Sequence, residues 1–125
     1  MAIRILSVDD EQTVQDLLSM HLMLQGFEIK TAANGEEAIS LLESESFDLV
    51  LLDIEMPKMD GLEVLRYIKN RHIEVCPIML TGADDLRAFA ECARWGAFDY
   101  LPKPYNFHEM MNTIERALAR AVQVS

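Results

Sequence analysis

Five short apolar runs, rich in Leu and β-branched residues, alternate from end to end with segments of helical spacing, and no other feature constrains the fold as strongly. The runs are IRILSV at 3–8, FEIKTA at 27–32, DLVLLD at 48–53, CPIMLT at 76–81 and FDYL at 98–101. Nearly unbroken hydrophobicity over so few residues marks strands covered on both faces. Between the runs, Val14, Leu17, Leu18, His21 and Leu22 share one helical face, as do Ala38, Ile39 and Leu42. Leu62, Leu65 and Ile68 define a third helix, and Leu86, Phe89, Ala90 and Ala93 a fourth. The clearest stripe is the last, with Phe107, Met110, Met111, Ile114, Leu118 and Ala121 at steps of three and four. Asn34 with Glu37, Asp60 with Glu63 and Asn106 with Glu109 have capping-box spacing. Five β units alternating with five α units predict an α/β protein: one parallel sheet with helices on both faces.

A chain of 125 residues can bury one sizeable core, so residues 1–125 read as a single domain. No run reaches the length of a membrane span, and MAIRILSVDD lacks the regions of a signal peptide, which predicts a cytoplasmic location away from membranes. A net charge of −10 argues against direct contact with nucleic acid. Arg66, Lys69 and Arg71 do not alter this, because cations at a helix end complement its carbonyl dipoles. Cys76 and Cys92 lack zinc-site spacing and read as small buried hydrophobes, and the eight methionines read mostly as core filling.

In an open parallel sheet, ligands collect outside the carboxyl ends of the strands. Those ends carry Asp9 and Asp10, then Asp53, then Thr81, with Lys103 just after the fifth run. Asp53 is the hardest to explain structurally, since it leaves a buried run while the next helix has its own cap in Asp60. The others have ordinary explanations. Asp9 or Asp10 could cap the first helix, with Gln12 three residues after Asp9; Thr81 could favour the strand or join a cap from Asp84; Lys103 could be a solvated loop lysine. Their joint placement is what points to a site. Like charges ~4 Å apart at an effective dielectric of ~20 repel by roughly 4 kcal/mol, so three converging carboxylates call for a cation. A few oxygen ligands with room for water suit Mg²⁺ better than a Ca²⁺ cage.

The pair Asp9 and Asp10, LLDIEMPKMDG around Asp53, the strand-end Thr81 and DYLPKP from Asp99 to Pro104 occur in that order along the whole chain. Together they resemble the receiver domain of two-component response regulators. The resemblance implies a flavodoxin-like (βα)5 doubly wound fold with strand order 2-1-3-4-5. It implies that Asp53 is the phosphoacceptor of a phosphorelay, taking a phosphoryl group from a phosphohistidine on a sensor histidine kinase or histidine phosphotransfer protein. Mg²⁺ would be held by Asp10, Asp53 and the backbone carbonyl of Glu55, with Asp9 acting through water. Lys103 would pair with a phosphoryl oxygen, and Lys103 and Pro104 would be joined by the family's cis peptide. Thr81 would be drawn towards the phosphate, and Tyr100, the switch aromatic, would rotate inward after it. The surface of the fourth helix, fifth strand and fifth helix would then change for an output domain, an effector or a second copy. The resemblance thus implies a phosphoacceptor signalling domain that assists its own phosphorylation and dephosphorylation, and not an enzyme.

Some positions depart from the pattern or vary within it. Tyr105 stands where the family often has Phe, and Glu55 and Ala83 occupy positions that influence phosphate lifetime. Trp95 is near the switching surface, although core packing at the helix end explains it equally well. Three other readings share parts of the pattern. A flavin-binding flavodoxin relative needs a hydroxyl- and glycine-rich phosphate loop where this chain has VDDEQT. A metal-dependent aspartyl phosphatase usually carries nucleophile and acid on the first strand, one residue apart. A receiver-like binding module without phosphorylation would have no need of all five active-site residues.

Overall fold

The computed structural model describes residues 2–57, 59–82 and 86–124, the last four as backbone. In chain order the elements are β1 (Arg4–Val8), α1 (Gln12–Leu24), β2 (Glu28–Ala32), α2 (Gly35–Ser44) and β3 (Leu49–Asp53). They continue with α3 (Gly61–Asn70), β4 (Cys76–Thr81), α4 (Leu86–Arg94), β5 (Asp99–Pro102) and α5 (Phe107–Val124). The five strands form one parallel sheet in the order β2-β1-β3-β4-β5, as the resemblance implied.

Alternation along the strands divides the core in two. Leu6, Val8, Val50, Leu52 and Met79 face α2, α3 and α4, meeting Ala38, Leu42, Val64, Leu65, Ile68, Ala88 and Cys92. Ile5, Leu49, Leu51, Ile78, Leu80 and Leu101 face α1 and α5, meeting Leu18, Leu22, Met110, Ile114 and Ala117. Every residue of β3 is buried, which accounts for its lack of any polar alternation before Asp53. Register then sets the site. Val8 lies opposite Leu52, so Asp9 and Asp53 leave adjacent strands at the same level, and Asp53 lies opposite Leu80 of β4.

Local chemistry fixes the helix starts. The side chains of Asn34, Asp60 and Asn106 accept hydrogen bonds from the amides of Glu37, Glu63 and Glu109 at 2.9, 2.9 and 3.1 Å. For α1, neither Asp9 nor Asp10 is the cap: Glu11 holds that position, without a side-chain cap bond. The capping role considered for Asp84 and the lifetime position Ala83 lie outside the described residues, as does the side chain of Ala121.

Two helical faces differ from the sequence reading. On α1, Gln15 is buried beside Leu18 and Leu22 while Leu17 is exposed. The inward arc is centred one position away from the apolar count because a polar residue is needed beneath it. On α4 the core side is Ala88 and Cys92, and the expected face of Leu86, Phe89, Ala90 and Ala93 is exposed. This short helix lies against α3 and β5, where small side chains permit close approach, so its bulkier residues point outward. Met20 and Met23 are likewise exposed, whereas Met56, Met79 and Met110 fill the core. Cys92 is buried and Cys76 half-buried, and both thiols are free. Trp95 packs against the core and donates its indole N–H to Glu91 at 3.1 Å, consistent with the packing reading.

Candidate functional site

The carboxyl ends of β1, β3 and β4 and the loop after β5 meet in a cleft of about 480 Å³ lined in part by Glu11, Asp53, Glu55, Gly82, Lys103 and Tyr105. A hollow of about 630 Å³ at the opposite end of the sheet, lined by Asp48, Cys76, Phe98 and Arg120 among others, is remote from this acidic group.

Backbone geometry aims the carboxylates. After Asp53 the chain turns sharply and closes on itself, with the Gly61 amide donating to the Ile54 carbonyl at 3.1 Å and the Ile54 amide to Leu80 at 2.9 Å. Only glycine fits at 61, since a Cβ there would lie 2.9 Å from the carbonyl carbon of Asp53. The Asp53 Oδ1 accepts the Glu55 amide at 3.1 Å, and the Asp9 Oδ1 accepts the Glu11 amide at 2.9 Å. Two similar turns therefore orient two acids on neighbouring strands.

Asp9 and Asp53 are buried and Asp10 is exposed, and one carboxylate oxygen from each lies within 4.8 Å of the other two. Lys103 Nζ sits 2.9 Å from Asp9 Oδ2 and 3.2 Å from Asp53 Oδ2, so it is no solvated loop lysine. Its peptide bond to Pro104 is cis. Burial pushes the Asp53 carboxyl up to about 6; Lys103 opposes that rise and Asp9 adds to it. Burial works to lower the Lys103 ammonium, but its contacts with Asp9 and Asp53 prevail and raise it. The Tyr105 hydroxyl is raised by burial and then by the charge of Asp9.

These residues fit a divalent cation on structural grounds. The buried Asp9 Oδ2 faces Lys103 Nζ at 2.9 Å, a single contact that leaves lone-pair capacity for a further cation. Among the described residues, two buried acids and one exposed acid share a single lysine between the buried pair, leaving excess negative charge beside an open cleft. An all-oxygen set of this size matches a hard ion that retains waters.

Thr81 is buried at the end of β4, and its hydroxyl donates to Glu55 Oε1 at 2.7 Å. Tyr100 is half-buried, its ring edge-on to Phe89 of α4 at 5.2 Å. Among the described residues, Asp9, Asp10, Asp53, Glu55, Thr81 and Lys103 are thus brought together, and Tyr100 lies at their α4 flank.

One contributor and one contact were missed from sequence. Gln15 places Nε2 within 3.0, 3.1 and 2.9 Å of the carbonyls of Ser7, Asp9 and Ala32 and accepts the Ser7 hydroxyl at 2.6 Å, tying α1 to the ends of β1 and β2. Its position three before Leu18 and seven before Leu22 was the available signal. The contact is that of Glu55, a residue expected to influence phosphate lifetime, with Thr81, which depends on the approach of two strand ends.

Comparison with known proteins agrees with this geometry. Residues 5–115 match the family model described as the response regulator receiver domain. Over 115 residues the chain is 40% identical to the regulatory protein AtoC of Escherichia coli (strain K12), covering 92% of this chain and 25% of that protein. It is 36% identical over 120 residues to the response regulator MprA of Mycolicibacterium vanbaalenii, covering 96% of this chain and 52% of MprA. The chain therefore spans between a quarter and about half of these relatives. Among solved structures, a CheY-like receiver domain protein from Methanospirillum hungatei JF-1 superposes with a TM-score of 0.96 at 30% identity, covering 100% of both chains. The response regulator TrrA from Thermotoga maritima, in complex with Mg(2+)-BeF, gives 0.83 at 40% identity over 92% of this chain and 98% of that one. With its sheet order, its acid cluster and these likenesses in agreement, the chain belongs to the response regulator receiver domain family, the phosphorylation-dependent switch of two-component systems.

Proposed function

We propose that residues 1–125 act as one receiver unit in the cytoplasm, with Asp53 accepting a phosphoryl group from a phosphohistidine donor. The single observation that carries this assignment is that Asp53 lines the cleft, 3.2 Å from Lys103 and beside Asp9 and Asp10. A carboxylate oxygen of Asp53 attacks phosphorus, the P–N bond to the donor imidazole breaks, and an acyl phosphate remains on the chain. Lys103 is already poised between Asp9 and Asp53, where an incoming phosphoryl oxygen would compete for its ammonium. Asp10, Asp53 and the Glu55 backbone carbonyl would hold Mg²⁺, with Asp9 contributing through water. The ion, when bound, neutralises charge and aligns the transferring group.

Support for the switch lies in Thr81 and Tyr100. Thr81 donates its hydroxyl to the cleft-lining Glu55, and Tyr100 packs against Phe89 of α4, where Leu86 and Phe89 are exposed among the described residues. Movement of the pair would change the α4-β5-α5 surface for an output domain, an effector or a second copy. No helix among the described residues is long and apolar enough to cross a membrane. Mg²⁺ with a small phosphodonor should add one base-labile phosphoryl group per chain, and Asp53→Asn should abolish it. Equal labelling of the Asn variant would move the acceptor elsewhere.

A further inference from the structure

At the end of β4 the Thr81 hydroxyl and the Gly82 amide converge on one oxygen, Glu55 Oε1, at 2.7 and 3.0 Å. The other carboxylate oxygen lies against the same glycine, where a Cβ would meet Glu55 Oε2 at 3.4 Å. A hydroxyl and a backbone N–H aimed at one point form an oxyanion site. Here it borders the cleft that also holds Asp53 and Lys103, and it is filled by the chain's own carboxylate.

We infer that Glu55 is an internal stand-in for the phosphoryl group, holding Thr81 and Gly82 in the resting arrangement and setting the threshold for switching. The inference rests on Asp53 being the phosphoacceptor, since only then does an anion arrive beside these donors. Thr81 has one hydroxyl proton and Gly82 one amide proton, so neither can serve the carboxylate and a phosphoryl oxygen fully at once. Binding of the second anion therefore requires Glu55 to withdraw, and the bonds it gives up subtract from the gain. A ligand shifts a two-state equilibrium only by its differential affinity, so this competition enlarges the resting population at a given degree of phosphorylation. Glu55 is exposed and follows β3 in a loop, outside the sheet ladder. It is a positioning residue, acting through Thr81 and Gly82.

The test is a titration of the protein with Mg²⁺ and beryllofluoride, followed by ¹H–¹⁵N spectra of the Gly82 amide, for the parent, Glu55→Ala and Glu55→Gln. Before ligand is added, Glu55→Ala should move the Gly82 resonance upfield and speed its hydrogen exchange. Charge-assisted bonds contribute about 1.5–3 kcal/mol, and each 1.4 kcal/mol is tenfold, so the Ala variant should bind beryllofluoride roughly tenfold more tightly. Glu55→Gln keeps an acceptor without the charge and should fall between. An unmoved Gly82 resonance, an unchanged affinity, or Gln equal to Ala would each overturn the inference while leaving the acceptor assignment intact. Failure of the parent itself to bind beryllofluoride, or equal binding by Asp53→Asn, would instead remove the acceptor reading and this inference with it.

Discussion

Replacing Asp53 with Asn should stabilise the metal-free protein at neutral pH, and the gain should disappear in acid. The Asp53 carboxyl has an ordinary value of 3.8 and is pushed up to about 6 by burial in the fold. Between those values the folded chain retains a proton that the unfolded chain has released, so stability falls as pH rises through the window. Below 3.8 nothing is lost, and above about 6 the loss is complete. The gap corresponds to roughly 3 kcal/mol at pH 7. With Asp53 only 2% exposed, solvent screening does not reduce that figure appreciably. Asn has nearly the same shape and no charge to desolvate, and Lys103 keeps its 2.9 Å contact with Asp9. Urea unfolding of both proteins in EDTA, at intervals from pH 4 to 7.5, reads the difference with other titrating groups cancelled. The variant's advantage should widen by up to about 3 kcal/mol, a midpoint separation of roughly 1 M or more at ordinary urea slopes. Mg²⁺ at 100 times its Kd should return about 2.7 kcal/mol to the parent and less to the variant. A difference that stays flat with pH, or narrows as pH rises, would refute the reasoning.

Gln15→Ala should cost about 2–4 kcal/mol in urea unfolding, because the buried Ser7 hydroxyl loses its acceptor and the carbonyls at the ends of β1 and β2 each lose a donor. A loss below 1 kcal/mol would show that water replaces the amide. Gly61→Ala should destabilise by about 1–3 kcal/mol and slow labelling of Asp53 by a small phosphodonor, since the new methyl must displace the Asp53 backbone. Parent-like stability and labelling would mean that the loop yields without moving the acceptor.

The chain's own residues determined the elements and most of their boundaries. Unbroken burial made the β3 run legible, and the three Asx caps were local signals that needed no tertiary partner. The acids, Thr81 and Lys103 were also legible, because alternating strands and helices bring strand ends to one rim and their residue types are uncommon in buried runs. Strand order was carried by family likeness, since periodicity says which segments are strands without saying which are neighbours. Only the folded chain decided the inward arcs of α1 and α4. Burying Gln15 while exposing Leu17 is favourable only when Ser7, Asp9 and Ala32 stand ready to satisfy the amide, and small residues on α4 face inward only where α3 and β5 approach. The raised Asp53 carboxyl and the hold of Glu55 on Thr81 belong to the same class. Both arise from charges and donors far apart in sequence, whose energies depend on separation and on exclusion of water, and neither quantity exists until the strands are paired.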